Sequence, residues 1–185
     1  MSEGNLYIIS GPSGSGKDTV LAEVFKIIPN LKFSISSITR PMRSGEVEGE
    51  KYNFISREQF EYMIENNMLL EHNQFLGNYY GTPKQPVIDS MKAGNDIIIE
   101  VDVNGAAQIR KNMPEAISIF IMPPSLEVLE HRLRKRGTED EEKIQKRLSE
   151  AKGEMDRSCE YSYVVVNDAL EDAVKEVVEI IKSNK

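Results

Sequence analysis

The residues best suited to chemistry open in one stretch, GPSGSGKDT, from Gly11 to Thr19. Gly11, Gly16 and Lys17 satisfy the spacing G-x-x-x-x-G-K. Glycines let successive backbone N–H groups turn inward on phosphate oxygens, and the lysine reaches the β- and γ-phosphates. A helix starting here would aim its N-terminus at the same anion. The alternative is a glycine-rich turn without chemistry, which the strand-loop-helix context disfavours. Asp18 stands where serine or threonine is usual. Its carboxylate could hold Mg²⁺ directly or through water, or could simply favour the helix dipole, and both readings stay open. Thr19 carries the nearest hydroxyl, about 100° further round the helix.

Arginines form the second set. Arg40 and Arg43 flank Pro41, with serines and Tyr52 close in sequence. Two guanidinium forks suit a second phosphate, and the alternative is a pair of solvated surface arginines. Arg132 and Arg136 are four apart and share a helix face, with Arg147 on the next helical segment. They read either as cations aimed at a transferring phosphoryl group or as part of a solvated, charge-rich helix. Glu71, Glu100 and Asp102 sit in strand-like apolar runs, where a carboxylate needs a partner. The end of a parallel strand is also where nucleotide folds place a metal-side carboxylate. Tyr79 and Tyr80 with Thr82 could frame a base or pack in a core. His72 and His131 read as structural or surface residues, and Cys159 as a small buried side chain.

The elements that must hold these residues alternate between strand and helix. Residues 5–10 are a short apolar run, followed after the glycines by helical spacing up to Pro29. Residues 51–56 read as a strand, and Ser56 with Gln59 forms a capping-box signal for the next helix. Gly77-Asn78 marks a hairpin, and Gly94 stops a helix that starts near Lys84. The runs 96–103, 117–122 and 162–167 are nearly uninterrupted and rich in β-branched residues, the pattern of strands buried on both faces of a parallel sheet. The last helix turns Leu170, Val174, Val177, Val178 and Ile181 to one face. The class is α/β with a parallel sheet. Two stretches break the rhythm: 34–55, with few helical signals, and 125–157, helical and densely charged, with Glu139–Lys143 and Glu142–Lys146 at i,i+4 spacing.

The chain has 185 residues, 39% hydrophobic and 29% charged, with a net charge of −7. That balance is globular, and the acidic excess argues against a nucleic-acid partner. A single cysteine excludes an intrachain disulfide. No leader pattern and no apolar run near the roughly 18 residues of a membrane span is visible, so a cytoplasmic location without a membrane partner is expected.

Together these motifs resemble the guanylate kinase family over about residues 5–182. The stretches that carry the likeness are GPSGSGKDT, SISSITRPMRSGEVEGEKYNFIS, LLEHNQFLGNYYGTP, IIIEVDVNGA, PPSLEVLEHRLRKRGTEDEEKIQKRL and YVVVND. The resemblance implies a three-layer P-loop kinase core with a parallel sheet over 1–34, 84–124 and 149–185. It also implies a GMP-binding insertion with mixed strands over 35–83 and a helical lid over 125–148. It implies phosphoryl transfer from ATP to GMP, and to dGMP, with Mg²⁺, by a monomer or homodimer. Ser36, Arg40, Arg43, Tyr52 and Tyr80 match the family's GMP-phosphate contacts, and Glu71, Thr82 and Asp102 its guanine contacts. Gly11, Pro12, Ser13, Gly14, Ser15, Gly16, Lys17, Asp18 and Thr19 match the ATP phosphate cradle, and Asn167 falls near the adenine. Arg132, Arg136 and Arg147 match the lid and catalytic arginines. Asp18 departs from the family's usual residues and puts the metal coordination in question, while Asn104 is a milder departure from glutamine. Rival readings are a monophosphate kinase for another base, a scaffold domain without catalysis, and a GTPase switch.

Overall fold

The computed structural model describes residues 3–135 and 140–184. In chain order the elements are β1 (Leu6–Ser10), α1 (Lys17–Ile27), β2 (Lys32–Phe33), β3 (Ser36–Ile38), β4 (Tyr52–Phe54), α2 (Arg57–Glu65), β5 (Leu69–Phe75), β6 (Asn78–Pro83), α3 (Lys84–Lys92) and β7 (Ile97–Glu100). There follow α4 (Val103–Asn112), β8 (Ile117–Met122), α5 (Leu126–Lys135), α6 (Glu141–Asp156), a 3₁₀ turn (Ser158–Glu160), β9 (Tyr163–Val166) and α7 (Leu170–Ser183).

The strands form two sheets. One has five strands in the order β2-β7-β1-β8-β9, and its outer pairs β2/β7 and β8/β9 run parallel. β1 is its middle strand, and all five of its residues are buried. After β1 the chain crosses through α1 to β2 at one edge, whereas after β8 it crosses to β9 at the other, so the loop after β1 lies at the topological switch point where α/β sheets bind ligands. The second sheet is mixed, in the order β4-β3-β6-β5, with β3/β4 parallel and β3/β6 and β5/β6 antiparallel.

By contact density the chain divides into two units. The first comprises Met1–Tyr7, Leu31–Glu100 and Asn104–Ala116, and the second Ile8–Asn30, Val101–Val103 and Ile117–Lys185. The first unit buries Ile38, Phe60, Leu70, Val87, Ile98 and Ile109. The second buries Ile8, Ile9, Val20, Val24, Phe120 and Val177, and in it α1 packs on α7.

Most element expectations hold, and the departures are local. The run 96–103 yields a strand only to Glu100, because α4 begins at Val103. The hairpin turns on Leu76-Gly77, one residue earlier than the Gly77-Asn78 signal, and Asn78 pairs with Phe75 in the ladder. Both turn residues are left-handed, at φ 48° and 79°. The capping box forms as read, with Ser56 and Gln59 exchanging both hydrogen bonds. On α7, Leu170 is partly exposed while Ala173 and Ile180 join the buried face. Glu139 lies outside the described residues; its expected partner Lys143 is bridged to Asp140 at 3.1 Å, and Arg134 joins Glu130 and Glu141. Cys159 is exposed rather than buried, because the turn at 158–160 lifts it out of the core. No described helix is long and apolar enough to cross a membrane.

Candidate active site

In the second unit, β1 delivers the chain into the loop at Gly11, and α1 starts at Lys17. Two glycines show why the loop needs them. A Cβ on Gly11, at φ 155°, would stand 2.3 Å from the Ile121 carbonyl oxygen. A Cβ on Gly16, at φ 88°, would stand 2.4 Å from Asn167 Nδ2. Gly16 is the N-cap of α1 and supplies no side-chain hydrogen bond, so the first-turn N–H groups have no side-chain cap. An anion is the natural partner for such a helix start. Lys17 curls back and donates from Nζ to the Gly11 carbonyl at 2.7 Å, which spans the loop mouth. Asp18 and Thr19 follow on α1, both exposed.

Asn167, at the end of β9, ties this site together. Its Nδ2 donates to the Ser15 carbonyl at 2.8 Å, its backbone N–H to Met122 O at 2.8 Å, and its own carbonyl accepts from Arg132 Nη2 at 2.9 Å. Its side chain is buried, so the amide is spent on holding the loop. A cavity of about 350 Å³ opens beside it, lined by Gly14, Gly16, Thr19, Arg132, Lys135, Asn167, Asp168 and Leu170. Arg147, on α6, comes within 3.4 Å of Ser13 Oγ. Arg136 lies outside the described residues. Asp102 follows β7 and belongs to this unit, not to the first. Sequence reading missed Glu154 on α6. Burial holds its carboxyl above the usual range, with Asp102 and Glu150 pushing the same way and the Lys17 charge pulling down.

In the first unit, strand register does the assembling. Ser36 stands opposite Tyr52 across β3/β4, and Ile38 opposite Tyr80 across β3/β6. Arg40, just past β3, lays its guanidinium 5.6 Å from the ring centres of both Tyr52 and Phe54. Arg40 also interacts with Tyr80, so Arg40, Tyr52 and Tyr80 come together, with Ser36 register-paired to Tyr52. Tyr79 is a packing residue, stacked on Phe60 at 5.1 Å and covered by Arg57. The sequence also gave no warning of Glu46. Its carboxylate takes Arg40 in a fork, at 2.8 Å from Nη1 and 2.6 Å from Nη2, and accepts from the Arg43 backbone N–H at 2.7 Å. The Arg40 hydrogen bonds, then the Arg43 N–H, hold Glu46 down at about 2. The Arg43 side chain is exposed.

Glu71 and Thr82 face each other across β5/β6, both buried, and Thr82 Oγ1 donates to Glu71 Oε1 at 2.7 Å. A buried carboxylate is costly unless hydrogen bonds hold it, and the threonine supplies one here.

Comparison with known proteins covers the chain almost from end to end. The family model described as guanylate kinase matches residues 3–184. The guanylate kinase of Carboxydothermus hydrogenoformans is 48% identical over 185 residues, covering 100% of this chain and 91% of that protein. The guanylate kinase of Desulfitobacterium hafniense is 46% identical, covering 100% and 92%. The crystal structure of guanylate kinase from Anaplasma phagocytophilum superposes with a TM-score of 0.77 at 32% identity, covering 99% of this chain and 87% of that one. On these matches the chain belongs to the guanylate kinase family, P-loop kinases that phosphorylate GMP with ATP.

Proposed function

We propose that the second unit holds ATP and the first holds GMP or dGMP, with the residues named above in those roles. The observation that carries this reading is the buried Glu71 carboxylate, oriented by Thr82 at 2.7 Å. Guanine presents N1–H and a 2-amino group, both donors, to such an acceptor. Adenine would present a lone pair at N1 instead. The Thr82 hydroxyl donates to Glu71 in this structure and can turn to guanine O6 when the base arrives. Asp102, which belongs to the second unit, is proposed as a guanine contact on the family resemblance alone, and Asn167 lines the cavity proposed for ATP.

The GMP phosphate is already ionised, so the reaction needs positioning and charge neutralisation rather than a strong base. Lys17 and the loop N–H groups hold the donor phosphates, with Arg132, Arg136 and Arg147 spreading positive charge over the transferring group. Ser36, Arg40, Arg43, Tyr52 and Tyr80 hold the acceptor phosphate and offset the repulsion between two anions. Magnesium takes oxygen ligands, and Asp18 and Thr19 offer a carboxylate and a hydroxyl at the start of α1. One carboxylate suffices for an ion that arrives on ATP; when bound it neutralises charge on the β- and γ-phosphates. The functional partition we propose is a core over 1–34, 84–124 and 149–185, an acceptor region over 35–83 and a lid over 125–148. The setting we propose is cytoplasmic, for a monomer or homodimer without nucleic-acid or membrane partners.

A coupled assay with MgATP against GMP, dGMP, AMP, CMP and UMP tests the reading. Turnover confined to GMP and dGMP is expected. Turnover with AMP at a comparable rate would remove Glu71 from its role.

A further inference from the structure

β5 is the end strand of the mixed sheet, and Glu71 lies within it. The pairing with β6 slips between Leu69 and Glu71, so the inner partner fixes the strand least firmly at this point. An end strand also presents backbone groups with no strand to receive them. Here the open edge meets two side chains one helical turn apart on α4. Gln108 Nε2 donates to the His72 carbonyl at 3.0 Å, and His72 N–H donates back to Gln108 Oε1 at 3.1 Å. The single amide reproduces the two-bond pairing that another strand would offer. Asn112 Nδ2 donates to the Leu70 carbonyl at 2.8 Å. The residues on either side of Glu71 are thus clamped on the outer edge, while Glu71 itself pairs inward with Thr82. These residues all belong to the first unit.

We propose that Gln108 and Asn112 are positioning residues for base recognition, acting through the β5 backbone to fix the Glu71 carboxylate where it reads the guanine 2-amino and N1–H donors. The proposal rests on the reading of Glu71 given above. Two hydrogen bonds to one planar base tolerate little displacement, and an error near 1 Å can cost on the order of 10²-fold. The helix clamp removes that freedom without touching the nucleotide.

The test uses the full chain with Gln108→Leu and Asn112→Leu, singly and together, against GMP and against inosine monophosphate, which lacks the 2-amino group. The double variant is expected to raise KM for GMP about tenfold and to lower the preference for GMP over inosine monophosphate by a similar factor, with KM for ATP unchanged. A Glu71→Gln variant is run beside it, alone and combined with Gln108→Leu. In that background Gln108→Leu should cost no further preference, because its effect passes through Glu71. Gln108→Glu keeps the side-chain length, loses the donor to His72 O, and gives the same readout with apolar packing untouched. Retained preference in the clamp variants, with preference lost in Glu71→Gln, overturns the clamp alone. Retained preference in Glu71→Gln overturns the reading of Glu71 and the clamp with it. Equal losses toward GMP and ATP would make the contacts purely structural and overturn the proposal.

Discussion

The two units reach their chemistry by opposite routes. The phosphate loop of the second unit spans seven consecutive residues, Gly11 to Lys17, and in the function proposed above works largely through backbone N–H groups. The group proposed for the first unit draws on Ser36, Arg40, Tyr52, Glu71, Tyr80 and Thr82, carried on or beside four strands, and in that proposal works through side chains. A backbone site needs only local freedom and a helix start, so its residues can be adjacent. A side-chain site needs convergence from several directions, which strand register supplies. The first kind is vulnerable to any added atom, the second to any slip in pairing.

Five substitutions would break or sharpen this contrast. The largest effect is expected for Lys17→Ala, which should lower kcat by about 10³ with the far-UV circular dichroism unchanged, since a donor to the transferring phosphate is lost. Turnover near wild type would take Lys17 out of catalysis. Next is Glu71→Ala, expected to lower the kcat/KM preference for GMP over AMP by about 10² or more. Unchanged discrimination would contradict base reading by this unit. Gly16→Ala should raise KM for ATP at least about tenfold while KM for GMP stays put, because a Cβ would stand 2.4 Å from Asn167 Nδ2 at φ 88°. Parallel rises in both constants would mean that the damage is not local.

The fourth concerns the ion pair in the first unit. Glu46 sits at about 2 against an ordinary 4.5, held down first by Arg40 and then by the Arg43 N–H. A depressed carboxylate contributes its stability above its unfolded value and loses it as pH falls through the folded one. The melting-temperature advantage of the wild type over Glu46→Gln should therefore be constant above pH 4.5 and shrink between pH 4.5 and 2. A difference independent of pH would show that the pairing adds nothing in solution. The smallest effect is expected at the hairpin tip. Leu76 is 83% exposed at φ 48°, a conformation that costs a branched side chain about 1 kcal/mol. Leu76→Asn should raise stability by ~0.5–1 kcal/mol in urea unfolding and leave turnover unchanged.

Legibility in the sequence follows the same division. The loop, its lysine, the flanking β1 and α1, and the Ser56–Gln59 capping box could all be read from spacing, because each depends on residues within a few positions of one another. Arg40 and Arg43 could be read as candidates, but not the Glu46 fork that organises them, since a glutamate in a polar loop carries no local signal. The hairpin is visible in the sequence but its Gly77-Asn78 signal lies one residue past the actual turn, because Gly77 satisfies either register and the strand pairing decides between them. The residue type of Cys159 predicts burial, and the 3₁₀ turn overrides that preference.

By itself the sequence determined the α/β alternation and the phosphate-loop motif, because hydrophobic period and short motifs are written in neighbouring positions. Only the tertiary structure decided that Thr82 faces Glu71, that Asn167 is spent on Ser15 and Arg132, and that Gln108 and Asn112 grip the edge of β5. Those contacts join residues 11 to 152 positions apart. Pairing at such separations is set by sheet order and register, which depend on how the chain packs as a whole.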